Sequence, residues 1–225
     1  MVDLVGIGLY DRQEAARLIR VQPSVVARWL RGYRSSAGNN VEPMWHADVQ
    51  IPGELTLSFR DLMELRATIA FRRAGLSAQM IRKAIRKAEE VLGTDHPFST
   101  ARFRTDGAAI MLQVEPDAGE PELLDIFKDQ YVIGRLIERS LSDVTFEGML
   151  PVQWRPRGPK GGILLDPERS FGQPVEEGCF VPTRTLADAV ASERGDVNKV
   201  ARLYEVPVRS VRRALLFEQD LAAVA

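Results

Sequence analysis

Residues 11–31 read DRQEAARLIRVQPSVVARWLR, and residues 196–216 read DVNKVARLYEVPVRSVRRALL. In the first stretch Ala16, Val21 and Val26 fall five residues apart, and in the second Ala201, Val206 and Val211 do the same. Each puts an arginine two residues beyond its last valine, Arg28 and Arg213. Two short helices that cross steeply need a small residue where they touch, an apolar residue in the turn and a branched one on the inward side of the second helix. The spacing therefore predicts a helix-turn-helix at each end of the chain, and nucleic-acid recognition is the leading expectation.

The first stretch carries its own punctuation. Asp11 and Glu14 mark a helix N-terminus, where carboxylates accept from backbone N–H groups that lack a partner. Ala15, Leu18 and Ile19 form the inward stripe of that helix. Pro23 suits the first position of the second helix, whose buried side is Val26, Trp29 and Leu30 and whose stop is Gly32. Arg20 stands in the turn position that usually holds glycine, which predicts a longer or looser turn. Gln22, Ser24, Arg28 and Arg31 are the polar positions of the second helix, with Arg34 just past its end. Arginine reaches guanine edges in a major groove, and a serine near a helix N-terminus suits a phosphate.

Charge is unevenly spread. The net value is −1, yet Lys and Arg outnumber Asp and Glu 16 to 11 up to Arg104, are outnumbered 3 to 10 from Thr105 to Leu150, and are nearly balanced at 11 to 10 thereafter. A basic front and an acidic middle suit a protein that meets a polyanion with one region and something else with another. The length, 225 residues with 45% hydrophobic content, allows a substantial core. The single cysteine, Cys179, leaves no internal disulfide framework and fits a reducing cytosol. No leader and no bilayer-length apolar run is read in the chain, so the expected location is the cytoplasm.

Further along, Met44 to Leu57 alternates around Pro52 and Gly53 and predicts a small hairpin, or wing. A helix follows from Arg60 to about Ala74, ended by Gly75, and Ser77 caps another that runs to Gly93. Asp106-Gly107 between two apolar runs predicts a second hairpin. A helix is expected from Pro121 to about Leu141, then strands at Val144 to Phe146 and Val152 to Trp154. Arg155 to Gly162 concentrates proline, glycine and three basic residues and gives the domain boundary. Glycines and prolines then describe extended backbone with tight turns before helices that begin near Thr185, Val197 and Val208. The expected fold is α+β, in three parts: 1–95, a winged helix-turn-helix; 96–160, a mixed region; and 161–225, a small domain that ends in a helical pair.

Chemistry finds little to work with. His46 and His96 are the only imidazoles, each without a second ligand at helical or hairpin spacing. His96, before a proline, is read as a strand-entry residue and His46 as a wing residue. Cys179 between Gly178 and Phe180 reads as a buried strand thiol. Gly158 to Gly162 lacks the Lys-Ser/Thr ending of a phosphate loop. No catalytic residue, metal site or cofactor is expected.

Tyr10, Arg28-Trp29, Leu57-Ser58-Phe59, Asp61-Leu62, Leu65-Arg66, Ala74-Gly75-Leu76-Ser77 and Ile81-Arg82 together resemble the MerR type of winged helix-turn-helix, and the resemblance makes Pro23 to Arg31 the recognition helix. Gly172, Pro174, Gly178, Val181, Pro182 and Thr183, with Val200-Ala201, Tyr204-Glu205-Val206, Val211 and Ala214-Leu215, resemble a small domain found at the end of VapB-like antitoxins. A MerR-like front joined to this ending resembles one branch of those antitoxins.

What the resemblance implies is a type II antitoxin that silences a PIN-like ribonuclease toxin and represses its own operator. A homodimer is expected, because operators usually offer two half-sites to a symmetric pair. The candidate DNA contacts are Gln22, Ser24, Arg28, Arg31 and Arg34. For the toxin, Arg155, Arg157 and Lys160 form a basic stretch suited to neutralising an acidic metal site. A stand-alone transcription regulator and a purely protein-binding adaptor are the alternatives.

Overall fold

The computed structural model describes residues 7–35, 38–114 and 130–223. The chain opens with strand β1 (Tyr10–Asp11), helices α1 (Arg12–Ile19) and α2 (Pro23–Arg31), and strands β2 (Tyr33–Arg34), β3 (Asn40–Val41) and β4 (Thr56–Leu57). Helices α3 (Phe59–Arg73), α4 (Ala78–Leu92), α5 (Ala101–Met111) and α6 (Gln130–Ser140) follow. A hairpin of β5 (Val144–Glu147) and β6 (Leu150–Trp154) leads to β7 (Ile163–Leu164), β8 (Val175–Glu176) and helices α7 (Thr183–Ser192), α8 (Val197–Leu203) and α9 (Val208–Ala222). The class is α+β: among the described residues helices predominate, and the strands form four separate antiparallel pairs.

Local chemistry sets the first helices as their sequence suggests. Asp11 accepts from the backbone N–H of Gln13 at 2.7 Å and of Glu14 at 2.8 Å, which fixes the start of α1. Ser77 caps α4 by accepting from Met80 N at 3.1 Å. The turn after α1 is tight, against the expectation of a looser one: Val21 N donates to Ala16 O at 2.9 Å while Arg20 takes φ 59 and ψ 56. Arginine accepts that left-handed conformation at a cost of roughly 1–2 kcal/mol. The closing bond and an Arg73 guanidinium on the Arg20 carbonyl at 2.7 Å offset part of it.

Two hairpin expectations are corrected. Residues 44–57 do not pair with themselves. The small hairpin is β2 with β3, and β4 returns to pair with β1, Tyr10 opposite Leu57. The alternation through Val49 and Leu55 suggests an isolated wing, whereas Met44, Trp45, Val49 and Leu57 are buried under the helices. Asp106-Gly107 lies inside α5, not in a turn. Thr100 caps that helix by accepting from Phe103 N at 3.0 Å, and Asp106 pairs with Arg102 one turn back at 3.1 Å. Gly107 is there for packing: a Cβ on it would stand 2.9 Å from Ile137 Cδ1 of α6. Local turn propensity lost to close helix contact.

Of the helix expected from Pro121 to Leu141, the part before Gln130 lies outside the described residues. The rest is α6, whose buried Ile133 and Ile137 face the core. The strands expected at 144–146 and 152–154 are present and pair with one another.

Two apolar cores organise the described residues. The larger runs from Tyr10 through α1 to α6 and continues into Trp154, Ile163, Leu165, Phe217 and Leu221. Phe71, Phe98 and Phe103 cluster within it, Phe98 and Phe103 stacked with ring centroids 4.5 Å apart and Phe71 edge-on to Phe103. The smaller holds Leu186, Val190, Val200, Ala201, Val211 and Ala214 of the last three helices. Residues 155–162 loop out between Trp154 and Leu165, which exchange backbone hydrogen bonds at 3.0 and 2.8 Å. Tyr10 reaches across to donate its hydroxyl to Gly172 O at 2.7 Å. Among the described residues no helix is long and apolar enough to cross a membrane.

Candidate nucleic-acid interface

The surface of α2 follows from its sequence period. Val26, Trp29 and Leu30 turn inward, while Ser24, Arg28 and Arg31, spaced four and three residues apart, share the opposite side and are exposed. Gln22 is the residue before the helix and Arg34 lies on β2 just beyond it, both also exposed. The five residues singled out from the sequence therefore lie along one helix and the strand that follows it.

The arginines of this surface are oriented by weak contacts. The Arg28 guanidinium lies over the Tyr33 ring, 5.0 Å from its centroid. Arg31 donates to Gly53 O at 3.3 Å and Arg34 to Gly38 O at 3.1 Å. Neither arrangement neutralises charge, because the acceptors are carbonyls and a ring face. Gly32 is needed at the end of α2, where φ 72 and the nearby Val41 carbonyl leave no room for a Cβ.

Sequence reading missed a buried polar network centred on Asp61. Asp61 lies in the first turn of α3 and is fully buried. Its carboxylate accepts from Trp45 Nε1 at 2.9 Å, Asp48 N at 3.1 Å and Ser58 N at 2.9 Å, and meets His96 Nε2 at 2.7 Å. Ser58 completes a capping box by accepting from Asp61 N at 3.0 Å. Ser-x-x-Asp before an apolar run was the available signal.

Buried beside this network, Glu64 accepts from Phe98 N at 3.1 Å and Ser99 N at 2.8 Å. Burial pushes the Glu64 carboxyl up to about 7, against the pull of His96 and the two N–H donors. For His96 burial opposes the charged form, but the bonded Asp61 carboxylate, with Glu64 and Asp48 nearby, raises its pKa. Asp61 is pushed up by burial and pulled further down by His96, Ser58 and Trp45.

His96 is thus no strand-entry residue. It precedes a 3₁₀ turn at Pro97–Ser99 and carries a buried imidazole. One polar atom from each of Asp48, Asp61 and His96 lies within 4.8 Å of the others, close enough for a set of metal ligands. Arg60 already supplies a cation there, 3.1 Å from His96 Nδ1 and 3.9 Å from Asp48, so the group reads as an ion network.

The basic loop behaves differently from α2. Arg155 makes two bonds to Glu177 Oε1, at 3.0 and 2.9 Å. Arg157 pairs with Asp220 and lies over the Phe217 ring. Lys160 is exposed. The first two guanidinium groups fasten the loop to Glu177, just after β8, and to α9; the three residues do not form one open patch. Cys179 is half-buried, and burial together with Glu176 pushes its thiol up, away from nucleophilic use.

Known proteins resemble most of the chain. It is 27% identical over 226 residues to a protein of Mycobacterium tuberculosis named "Putative antitoxin VapB45", covering 93% of each chain. The crystal structure of Rv2018 from the same organism superposes with a TM-score of 0.71 at 25% identity, covering 94% of this chain and 98% of that one. No protein-family model matches.

Proposed function

We propose that the protein is the antitoxin of a type II toxin-antitoxin pair, a cytoplasmic binding protein and not an enzyme, which neutralises a PIN-like ribonuclease and represses its own operator as a homodimer. End-to-end similarity to a protein named as an antitoxin supports the class, and the exposed row Ser24, Arg28 and Arg31 on α2 supports the DNA role. In this reading α1 and α2 form a helix-turn-helix of MerR type within residues 1–95. Residues 96–160 and 161–225 complete the three-part organisation. Arg31 and Arg34 position the protein on phosphates; Gln22, Ser24 and Arg28 read bases. The loop 155–162 enters as a toxin contact through exposed Lys160, with its arginines shaping the loop.

The test is co-expression with the open reading frame beside its gene, followed by titration of the purified chain onto the DNA upstream. A stable complex with a ribonuclease and DNA binding that weakens steeply as salt rises are expected. DNA binding without a toxin would favour a stand-alone regulator, and a complex without any salt-dependent DNA binding would favour an adaptor.

A further inference from the structure

The turn between α8 and α9 repeats the backbone geometry of the turn between α1 and α2, position for position. Val206 N donates to Ala201 O at 3.0 Å, as Val21 N does to Ala16 O at 2.9 Å. Glu205 takes φ 54 where Arg20 takes φ 59. Asp196 caps α8 by accepting from Lys199 N at 2.9 Å, in the register that Asp11 occupies before α1. Matching residues line a groove beside each turn: Gln13, Ala16, Arg17, Arg20, Val21 and Pro23 in the first, and Asn198, Ala201, Arg202, Glu205, Val206 and Val208 in the second.

The two grooves differ in what meets them. The C-terminal end of α9 packs at the first: Leu221, buried, forms part of its wall, and Glu218 bonds Arg17 at 2.6 Å. Its open volume is 270 Å³. The second measures 630 Å³, and Arg202, which stands where Arg17 stands, is exposed with no ion pair among the described residues. Beside it Leu203 and Tyr204 are 60% and 38% exposed, whereas Leu18 and Ile19 at the matching positions are 5% and 6% exposed. A cation and an apolar surface thus remain open on the second pair in the places that the chain's own last helix and its neighbours cover on the first.

From this internal template we infer that the second groove is the docking site for a helix of a partner protein, one that presents an aliphatic side chain and, three residues before it, a carboxylate. The aliphatic group seats between Ala201 and Val206 as Leu221 does beside Ala16 and Val21, and the carboxylate pairs with Arg202 as Glu218 pairs with Arg17. Exposed apolar groups flanked by a cation fit a protein better than a nucleic acid, whose backbone would meet Leu203 without a polar partner. That the helix belongs to the toxin rests on the proposed function.

The probe is a fluorescein-labelled peptide of residues 208–223, which carries Glu218 and Leu221, titrated by anisotropy against the full chain. Expected are saturable binding, at least a tenfold loss with Arg202→Glu in the protein, and recovery when the peptide carries Glu218→Arg. The same Arg202→Glu protein should lose at least tenfold in affinity for the co-expressed ribonuclease while binding upstream DNA normally. Peptide binding that is absent or indifferent to Arg202→Glu overturns the inference, and so does a variant that loses DNA and keeps the ribonuclease, which would make the surface a second DNA contact. If the wild-type chain captures no ribonuclease while the swapped peptide still rescues binding, the groove stands and the toxin reading fails.

Discussion

The two helical pairs share a turn and differ in which side they spend on the rest of the molecule. In the N-terminal pair Leu18 and Ile19 are buried and Arg28 faces outward; in the C-terminal pair the matching Leu203 and Tyr204 are exposed, and Arg213 bonds the buried carboxylate of Glu176 at 3.1 Å. A motif of small and branched residues specifies how two helices cross. It does not specify what the outer sides do, because those are set by charge and by neighbours elsewhere in the chain. One pair is left with a basic helix to offer and the other with an apolar edge.

Three stability measurements sharpen this contrast, beginning with the anchors. Asp61 has four partners in the core that the first pair packs on, while Glu176 meets the second pair through Arg213, which is 43% exposed, and Ser210, and accepts from Gly178 N at 2.9 Å. Asp61→Ala is expected to lower the unfolding free energy by about 3–5 kcal/mol, since it strands the buried His96 and Trp45 donors. Glu176→Ala should cost less, about 2–3 kcal/mol, because Arg213 can turn to water while Ser210 and Gly178 N lose their acceptor. Urea unfolding of both variants checks the order, and equal losses would show that the two pairs are anchored alike.

The next effect is pH dependence between about pH 5 and 8, which is expected from the Glu64 and His96 network. Glu64 titrates near 4.5 when unfolded and about 7 when folded, so the folded state holds its proton more tightly. Its contribution is fully present at pH 4 and is lost as pH rises to about 7, a change of roughly 3 kcal/mol for that shift. His96, also raised, loses its contribution as pH rises through its folded value. Stability should therefore fall from pH 5 to pH 8. Glu64→Gln should flatten the part of that fall below pH 7, and an unchanged profile would remove Glu64 as its source.

The smallest effect tests the shared turn. Arg20 and Glu205 both sit in the left-handed region, and replacing either with glycine removes the Cβ clash. Arg20→Gly and Glu205→Gly should each stabilise by about 1 kcal/mol, by similar amounts in thermal unfolding. A gain at one site and a loss at the other would mean that the turns are not equivalent.

The sequence disclosed the helical pairs well, because each is a local pattern: Asp11 and Pro23 punctuate the first, and alanine and valine five residues apart mark both. The exposed side of α2 could be read from its period. What it concealed was non-local. Gly107 looked like a turn because the contact that requires it, with Ile137, comes from another helix. Residues 44–57 alternate like a hairpin, but their strand partner is β1. Arg155 and Arg157 looked free because Glu177 and Asp220, which bind them, are distant in sequence. The Asp61–His96–Glu64 network was hidden for the same reason, although the Ser58-x-x-Asp61 signal pointed to one of its members.

In the proposed function the outward side of α2 reads sequence and its counterpart on the C-terminal pair does not. The direct measurement is anisotropy titration of wild type, Arg28→Ala and Arg213→Ala against the chain's own upstream DNA and against random DNA of equal length. Arg28→Ala should lose about 1–3 kcal/mol of discrimination between the two DNAs, and Arg213→Ala should leave that discrimination unchanged. Equal weakening on both DNAs by Arg28→Ala, or a loss of discrimination with Arg213→Ala, would contradict the account.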